Sequence, residues 1–272
     1  MTFNDISRRG LVLLGCGKMG SAMLAGWVRD GLDPKAVWVI DPQPLDWLLD
    51  QGVHVNQSLP PQPALILVAV KPQLMERALP QIGAFGNAPE TVILSVAAGT
   101  PIKTYEDMLG AQTPVIRAMP NTPAAIGKGI TAMSANSHVT DGQLQVADQL
   151  LKAIGQTVRC EAETQLDAVT GVSGSGPAYV FYMIDALAAA GRAQGLSSDM
   201  AMQLAKATVA GAGALAETSE ETPEQLRVNV TSPNGTTQAG LEVLMNEGSG
   251  LGPLMENTVA AAADRSRELA SG

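Results

Sequence analysis

Cysteine and histidine are scarce in this chain, and their scarcity excludes two kinds of site. There are two cysteines, Cys16 and Cys160, and two histidines, His54 and His138. Two cysteines cannot form a disulfide framework, and these four residues are too few for the common Cys and His zinc sites. We therefore expect no metal site. Both cysteines fit small, reduced core residues, which are typical of a cytoplasmic protein.

Basic residues and long apolar runs are also in short supply. The 17 Lys and Arg are outnumbered by 26 Asp and Glu, which gives a net charge of −9, and they are scattered along the chain. A nucleic-acid surface requires a basic stripe, so we expect no nucleic-acid partner. No apolar run reaches the roughly 18 residues of a membrane span, so we expect no membrane partner. With only three each of Trp, Tyr and Phe, the predicted core is aliphatic.

Arg8 and Arg9 precede an apolar run that ends at a cysteine, an order that resembles a twin-arginine leader with a lipoprotein cleavage site. The run covers only residues 11–14 and is interrupted at once by Gly15. A secretory leader needs roughly 7–15 apolar residues. We therefore interpret residues 11–14 as a buried first strand.

The first half of the chain alternates short apolar runs with helical patterns. Strands are predicted over residues 11–14, 37–40, 65–70, 92–96, 115–118, 129–134 and 156–160. Helices are predicted over residues 19–29, 73–82, 102–109 and 141–153. Thr140 is expected to cap the last of these helices, and Pro72 and Pro101 are expected at first helical positions, where a missing N–H costs nothing. This alternation predicts a parallel sheet with helices on both faces.

From about residue 163 the strand pattern stops and helical patterns rich in alanine and leucine follow. Residues 177–194 carry only Asp185 and Arg192 as charges, so a helix there is either buried on every side or sandwiched against another chain. Further helices are predicted over residues 199–217, from 222, and over 236–245 and 251–269. Helices this apolar do not suit a lone bundle of this size, so we infer an obligate homodimer through them.

These patterns together predict an α/β protein with two domains. Residues 1–160 form a Rossmann-like, doubly wound dinucleotide-binding domain. Residues 161–272 form an all-helical domain that binds the substrate and dimerises.

A glycine-rich turn follows the first predicted strand and opens the first long helix. It consists of Gly15, Cys16, Gly17, Lys18, Met19 and Gly20. The strand before it and the helix after it make this G-x-G-x-x-G pattern a dinucleotide-binding fingerprint. The first glycine permits the tight turn, the second lets the backbone approach the pyrophosphate, and the third lets the helix pack closely. The alternative is a glycine turn that binds no ligand.

Asp41 ends the second predicted strand, about 20 residues after the turn, where an acidic residue typically accepts hydrogen bonds from the adenosine ribose. Its charge would also repel a 2′-phosphate, and no Arg or Lys lies between Asp41 and Asp50 to offset it. Charge therefore favours NADH over NADPH. The alternative is that Asp41 only starts a turn with Pro42.

Residues 229–241 form a short polar loop that opens an apolar helix. Gly235 in this loop is followed by Thr236 and Thr237. Free backbone N–H groups at a helix start, together with two hydroxyls, suit a small anion. A small carboxylate held near a nicotinamide is the resulting hypothesis.

Five further segments carry a family resemblance. In chain order they are residues 69–72, 95–99, 117–123, 171–179 and 231–237. Together with the glycine turn they resemble the pyrroline-5-carboxylate reductase family, whose members make proline, and the similarity extends over residues 11–269. The resemblance implies NAD(P)H as the cofactor and a helical domain that interlocks with a partner subunit. Assembly of dimers into larger rings is left open.

The resemblance also implies site residues. The nicotinamide half of the cofactor is lined by Ala69, Val70, Lys71, Pro72 and Ala97, and Asn229 lies close to the cofactor. The substrate is held by Ser232, Gly235, Thr236 and Thr237, and Glu163 lies near the bound imino acid. By local chemistry alone, Glu163 is a carboxylate at a helix start. Residues 173–177 are either a wall of the same pocket or a plain turn between helices.

Two residues depart from the family pattern. Family members that use NADPH usually have a small hydroxylated or amide residue where this chain has Asp41, which strengthens the charge argument for NADH. Asn234 replaces a glycine that is usual in the substrate loop. Because Asn tolerates positive φ, we expect the loop to keep its shape.

The implied reaction is hydride transfer to the C=N carbon of 1-pyrroline-5-carboxylate, which gives L-proline. Backbone N–H groups from Gly235 to Thr237 can receive the carboxylate. The Thr237 hydroxyl can bond the ring nitrogen, but threonine is too weak an acid to supply a proton unaided, so its role is orientation and relay from water. Lys71 is given no proton-transfer role.

Three alternatives remain. The chain could reduce another small cyclic imine, since one extra methylene changes binding by only about 1–3 kcal/mol. It could be a related two-domain dehydrogenase, although residues 177–194 lack the lysine on which hydroxyacid dehydrogenases of similar layout depend. It could be a non-catalytic nucleotide-binding protein, which would have no need for the loop at residues 231–237.

Overall fold

The computed structural model describes residues 3–271, which fall into two compact units. Residues 3–174 and 262–271 form the first unit, and residues 175–261 form the second. Within the described chain every strand ends before residue 160, and the second unit is helical. The predicted α/β class with a helical second part is therefore confirmed. The functional division between residues 160 and 161 stays a prediction.

The first unit contains one eight-stranded sheet in the order β3-β2-β1-β4-β5-β6-β7-β8. The strands are β1 (Leu11–Leu14), β2 (Val37–Ile40), β3 (His54–Val55), β4 (Leu65–Val68), β5 (Val92–Ser95), β6 (Val115–Met119), β7 (Gly129–Ala135) and β8 (Gly155–Arg159). Strands β1 to β6 run parallel, β7 pairs antiparallel with β6, and β8 runs parallel to β7. The β6–β7 connection, residues 120–128, is too short for a parallel crossover of about a dozen residues.

Helices pack against both faces of the sheet because successive strand residues point to opposite faces. The helices of this unit are α1 (Phe3–Arg9), α2 (Lys18–Arg29), α3 (Trp47–Asp50), α4 (Met75–Ala78), α5 (Ile102–Leu109), α6 (Asp141–Lys152) and α7 (Gln165–Val169). Leu11 and Leu13 of β1 join an apolar cluster with Trp27 of α2. Val12 of the same strand joins a second cluster with Tyr105 of α5.

Most of the predicted elements match the observed ones to within two residues at either end. Thr140 caps α6 as predicted, and its hydroxyl and the Gln143 side chain form a reciprocal capping box. Pro101 is the N-cap of α5 rather than its first residue. The short elements α1, α3 and β3 were not predicted, because so few residues show no clear periodicity.

The helix predicted over residues 73–82 is wrong as a single element. The chain there forms a 3-10 turn over Pro72–Leu74, then α4, then a second 3-10 stretch over Leu79–Phe85. Pro80 has no N–H to donate, so it interrupts α-helical hydrogen bonding. Pro72 is the first residue of the first 3-10 turn, so it does lie at a first helical position, as predicted.

The second unit consists of α8 (Gly176–Ala193), α9 (Ser198–Thr218), α10 (Pro223–Asn229), α11 (Thr236–Leu244) and the beginning of α12 (Leu251–Ser271), whose last turns belong to the first unit. Helices α8 and α9 pack together through Ala188, Ala201 and Ala205, which are buried. Their small side chains let the two helices approach closely.

Large apolar side chains of the second unit are exposed within this chain. On α8, Phe181 is 59% and Tyr182 75% exposed, and Val243 on α11 is 73% exposed. The alternative that residues 177–194 are buried on every side by their own chain is therefore wrong. In residues 3–271 no helix combines the length and hydrophobicity that a bilayer crossing requires.

Candidate functional site

The glycine turn connects the end of β1 to the start of α2. Gly15 has a φ of +86°, and a Cβ there would lie 2.8 Å from Cγ1 of Val70. A Cβ at Gly20 would lie 2.9 Å from the Gly15 carbonyl oxygen. At Gly17, by contrast, no atom lies within 4 Å of the Cβ position. The turn is thus closely packed at its first and third glycines and open at the second, where the sequence predicts the pyrophosphate.

The turn lies where the strand order of the sheet reverses. Strand β1 has β2 on one side and β4 on the other, and ligands of doubly wound sheets bind outside the strand ends at such a point. No side chain caps the start of α2 at Gly17, so N–H groups of Lys18 and Met19 are available to an anion. These residues fit the diphosphate of a dinucleotide. Residues 3–271 contain no cluster of His, Cys, Asp or Glu that could hold a metal ion.

The carboxylate of Asp41 faces this turn. Its Oδ2 accepts the Cys16 N–H at 2.7 Å, and its Oδ1 accepts the Gln43 N–H at 2.8 Å. The bond to Gln43 shows that Asp41 does start a turn, the local alternative that the sequence allowed. The bond to Cys16 shows that the same side chain also reaches the dinucleotide fingerprint.

Cys16 contributes a backbone group rather than a reactive thiol. Burial, followed by the negative charge of Asp41, raises the pKa of the Cys16 thiol from 9.0 to about 12. A thiol with this pKa is protonated at neutral pH and is a poor nucleophile.

The residues predicted to line the nicotinamide lie after β4 and β5. Ala69 and Val70 are half-buried beside the glycine turn, and the Ala69 N–H donates to the Leu14 carbonyl at 2.9 Å. Lys71 is exposed and is the N-cap of the 3-10 turn that Pro72 begins.

Ala97 is buried after β5, and its N–H donates to the Ser95 hydroxyl at 3.2 Å. The Ser95 hydroxyl is also hydrogen-bonded to the Tyr105 phenol. Burial raises the pKa of Tyr105 to about 12, although hydrogen bonds with Ser95 and Thr100 oppose this rise. Sequence reasoning assigned no role to Ser95 or Tyr105, because their contact joins elements that only the fold brings together.

Glu163 holds two groups of the first unit. Its Oε1 accepts the Ile102 N–H at 2.8 Å and lies 2.9 Å from Nη1 of Arg117. The Glu163 carboxylate therefore does bond the start of a helix, as its local chemistry predicts. The helix is α5, which begins at Ile102, and not α7, which follows Glu163 in the sequence. Arg117 begins one of the five segments that carry the family resemblance, residues 117–123, and the sequence predicts no role for it. A charged residue within an apolar strand was the signal that could have identified it.

The segment after α7 has an unusual helical form. Thr170–Gly174 is a single π-helical stretch, a feature that is often found at functional sites. The Asn121 side chain donates to the Ser173 carbonyl at 3.1 Å and accepts the Ile130 N–H at 3.0 Å. A Cβ at Gly174 would lie 2.6 Å from Cε of Met119. A side chain at position 174 would therefore require the end of the Met119 side chain to move.

The loop predicted to hold the substrate lies in the second unit. Asn234 has a φ of +57°, which confirms that Asn adopts the conformation that glycine usually supplies. Gly235 is the N-cap of α11, and its N–H donates to the Ser232 carbonyl at 3.0 Å. Thr236 and Thr237 are exposed, and their hydroxyls have no partner in the described part of the chain. The start of α11 is therefore accessible to an anion.

Asn229 ends α10, just before this loop. Its side chain accepts from Gln225 Nε2 at 2.8 Å and donates to both carboxylate oxygens of Glu221 at 3.1 Å. The predicted site residues thus form two groups. The first unit holds the glycine turn, Asp41, the residues lining the nicotinamide and Glu163, and the second unit holds Asn229 with the substrate loop.

Comparisons with known proteins extend over nearly the whole chain. The family described as "Pyrroline-5-carboxylate reductase dimerisation" matches residues 163–269, and coenzyme F420-dependent NADP oxidoreductase matches residues 10–99. Pyrroline-5-carboxylate reductase of Pseudomonas aeruginosa is 38% identical over 266 residues, which cover 96% of this chain and 96% of that protein.

Solved structures give the same result. A pyrroline-5-carboxylate reductase from Coxiella burnetii superposes with a TM-score of 0.89 and 32% identity, over 96% of this chain and 98% of that one. Plasmodium falciparum pyrroline carboxylate reductase with NADP bound superposes with a TM-score of 0.83 and 26% identity, over 97% of this chain and 99% of that one.

Proposed function

The chain belongs to the pyrroline-5-carboxylate reductase family, and we propose that it reduces 1-pyrroline-5-carboxylate to L-proline, the last step of proline biosynthesis. It is an NAD(P)H-dependent oxidoreductase that acts on a C=N bond. Similarity over 96% of the chain to a curated reductase carries this conclusion. The packed glycine turn at the reversal of strand order supports the cofactor.

The substrate loop supplies a partner for each polar group of the imino acid. The Gly235 N–H is already bonded to the Ser232 carbonyl, so we propose that the N–H groups of Thr236 and Thr237 bind the carboxylate at the positive end of the α11 dipole. Thr237 then orients the ring by a hydrogen bond from its hydroxyl to the imine nitrogen. Ser232 and Glu163 complete the predicted contacts of the substrate.

Reduced nicotinamide supplies the hydride when the cofactor is bound. The imine carbon accepts this hydride and the ring nitrogen accepts one proton, which leaves a secondary amine and the oxidised cofactor. Thr237 relays the proton from water, because an alcohol is too weak an acid to supply it at neutral pH. Hydride transfer requires contact between the imine carbon and the nicotinamide, and a ternary complex without that contact would contradict the proposal.

We propose NADH as the preferred cofactor. The Asp41 carboxylate faces the glycine turn and would repel a 2′-phosphate. The kcat/KM for NADH should therefore exceed that for NADPH, and Asp41→Ser should narrow the difference. A wild-type enzyme that prefers NADPH would contradict this part of the proposal. The Plasmodium falciparum structure was solved with NADP bound, so the family does not itself decide the preference.

We propose a homodimer formed through the helices of the second unit. The exposed side chains of α8 and a largely apolar cleft of about 600 Å³, lined by Leu241, Leu244 and Met245 among others, leave a large uncovered apolar surface. The match of residues 163–269 to a dimerisation family supports the same proposal. Light scattering that gives a stable monomer at micromolar concentration would refute it.

We propose that the protein is located in the cytoplasm. Both cysteines carry free thiols, the state that a reducing compartment maintains. Cell fractionation that places the protein in an oxidising compartment would contradict this location.

One assay distinguishes the proposed activity from the alternatives. Purified protein is mixed with NADH and 1-pyrroline-5-carboxylate, the loss of reduced nicotinamide is followed by absorbance, and the product is identified by chromatography. We expect L-proline in a one-to-one ratio with oxidised cofactor. A six-membered cyclic imine assayed in parallel tests the first alternative, and a small 2-hydroxy acid with oxidised cofactor tests the second. Binding of NADH without any turnover would favour a non-catalytic protein.

A further inference from the structure

Tyr105 of α5 is a buried phenol that is bonded to the segment between β5 and α5. Its side chain is 0% exposed, and its Oη is hydrogen-bonded to the Ser95 hydroxyl at 2.5 Å. The phenol is also hydrogen-bonded to Thr100. Ser95 is the last residue of β5, and Thr100 lies two residues before the first residue of α5. One side chain therefore holds both ends of the segment formed by residues 96–99.

The chain leaves the sheet within this segment. The Val96 N–H still donates to the Val68 carbonyl of β4 at 3.0 Å, which continues the parallel ladder. The Ala97 N–H donates instead to the Ser95 hydroxyl at 3.2 Å. A side chain thus takes over from the sheet at Ala97, the residue that is predicted to line the nicotinamide.

The helix that carries Tyr105 is held at its start. Glu163 Oε1 accepts the Ile102 N–H at 2.8 Å, and Nη1 of Arg117 lies 2.9 Å from the same oxygen. Tyr105 follows three residues later and packs in the same apolar cluster as Ala97. Burial raises the pKa of Tyr105 to about 12, so the phenol is neutral and protonated at neutral pH. Its contribution to the segment is therefore geometric.

We propose that Tyr105 is a positioning residue for hydride transfer: through Ser95 it fixes the Ala97 backbone against which the nicotinamide lies. The inference rests on the proposed reductase function and on the predicted role of Ala97. Because Tyr105 is fully buried, it does not touch the cofactor itself, and it acts only on the nicotinamide half. Without the phenol hydroxyl, the Ser95 hydroxyl can turn away from the Ala97 N–H, and residues 96–99 lose their connection to α5.

The test separates the two halves of the cofactor. ADP-ribose contains the adenosine, the diphosphate and the second ribose of NADH but lacks the nicotinamide. We expect Tyr105→Phe to raise the Kd of NADH about fivefold, the change that loss of one hydrogen bond allows, and to leave the Kd of ADP-ribose unchanged. Isothermal titration calorimetry measures both constants. An equal rise for both ligands, or no rise for NADH, would overturn the proposal.

Thr91→Val is the matched control for a general loss of stability. Thr91 lies directly before β5, at the opposite end of the strand from Ser95, and its buried hydroxyl donates to the Pro63 carbonyl at 2.7 Å. This substitution also removes one buried hydrogen bond, so the melting temperatures of both variants should fall by similar amounts. We expect Thr91→Val to bind NADH and ADP-ribose as the wild type does. If it weakens NADH binding as Tyr105→Phe does, the proposal is overturned.

The rate of reduction gives a second readout. A misplaced nicotinamide slows hydride transfer, so Tyr105→Phe should lower kcat with 1-pyrroline-5-carboxylate about tenfold, whereas Thr91→Val should retain the wild-type kcat. In a Ser95→Ala background, Tyr105→Phe should lower kcat by a smaller factor, because the connection to Ala97 is already broken. An equal factor in both backgrounds would overturn the route through Ser95.

The wild-type enzyme, measured in parallel, separates two kinds of failure. If it reduces the imino acid and Tyr105→Phe matches it in kcat and in the Kd of NADH, the positioning role fails while the proposed function stands. If the wild type binds NADH but does not reduce the imino acid, the proposed function fails, and the role of Tyr105 in hydride transfer fails with it.

Discussion

The Glu163 carboxylate and the Arg117 guanidinium form an ion pair with an N···O distance of 2.9 Å, although 46 positions separate the two residues in the sequence. The side chain of Arg117 is 6% exposed and that of Glu163 is 29% exposed. The same Glu163 oxygen accepts the Ile102 N–H at the start of α5. One carboxylate thus links β6 to α5 and to the segment before α7.

Glu163→Gln should destabilise the protein. The amide oxygen can still accept from Ile102, but Arg117 is left as a buried charge without a counter-charge. We expect the free energy of unfolding to fall by about 1–3 kcal/mol, less than for a fully buried pair because Glu163 is partly exposed. Urea denaturation measures this change. Glu161→Gln, an exposed neighbour, is the control, and an equal effect of both substitutions would contradict the role of the pair.

Gly17→Ala and Gly20→Ala should affect different properties. The Cβ at position 20 would meet the Gly15 carbonyl at 2.9 Å, so Gly20→Ala should lower the free energy of unfolding by about 1–3 kcal/mol. The Cβ at position 17 would meet no protein atom but would project into the space assigned to the pyrophosphate. Gly17→Ala should therefore remain stable while its KM for NADH rises about tenfold or more. A Gly17→Ala enzyme with normal KM would place the cofactor elsewhere.

Thr131→Val should make the protein slightly more stable. Thr131 is buried in β7, and among the described residues its hydroxyl has no hydrogen-bond partner. Removal of an unsatisfied buried hydroxyl should raise the free energy of unfolding by about 1 kcal/mol. Thr91 is equally buried, but its hydroxyl donates to the Pro63 carbonyl at 2.7 Å. Thr91→Val should therefore change stability in the opposite direction, and similar effects at both positions would refute the argument.

The free energy of unfolding should fall as the pH rises from 9 towards 12. The Cys16 thiol has a pKa of about 12 in the folded protein and 9.0 when unfolded, so between these values the unfolded chain has lost a proton that the folded chain keeps. The contribution of Cys16 is fully present below pH 9. We expect Cys16→Ala, which retains the backbone N–H bonded to Asp41, to lose stability less steeply between pH 9 and 10. If the urea midpoints of the wild type and the variant fall equally with rising pH, this prediction is contradicted.

Thr237→Ala should lower kcat without affecting folding. The hydroxyl is exposed at the start of α11 and has no protein partner in the described chain, so its loss should remove only the proposed hydrogen bond to the substrate. We expect kcat to fall by about one to two orders of magnitude, less than the loss of a full oxyanion-hole donor causes. Steady-state kinetics measures the change, with Thr218→Ala on α9 as control. A variant with wild-type kcat would remove Thr237 from the mechanism.

The sequence was sufficient wherever structure follows from neighbouring residues. Strand β1, the glycine turn and the Thr140 cap were predicted because hydrophobic period, glycine spacing and capping chemistry act over a few residues. The positive φ of Asn234 was predicted for the same reason, since it follows from one side chain. These local features also carry the family resemblance, so the sequence by itself determined the fold class and the reaction class.

Tertiary structure alone decided which distant groups meet. The bonds of Asn56 to Asp41, of Glu163 to Arg117 and of Ser95 to Tyr105 each join elements that pair only after the sheet has formed. The antiparallel pairing of β7 with β6 likewise arises only in the assembled sheet. The physical reason is range: backbone preferences act between neighbours in sequence, whereas hydrogen bonds and ion pairs depend on the packing that brings remote residues within about 3 Å of each other.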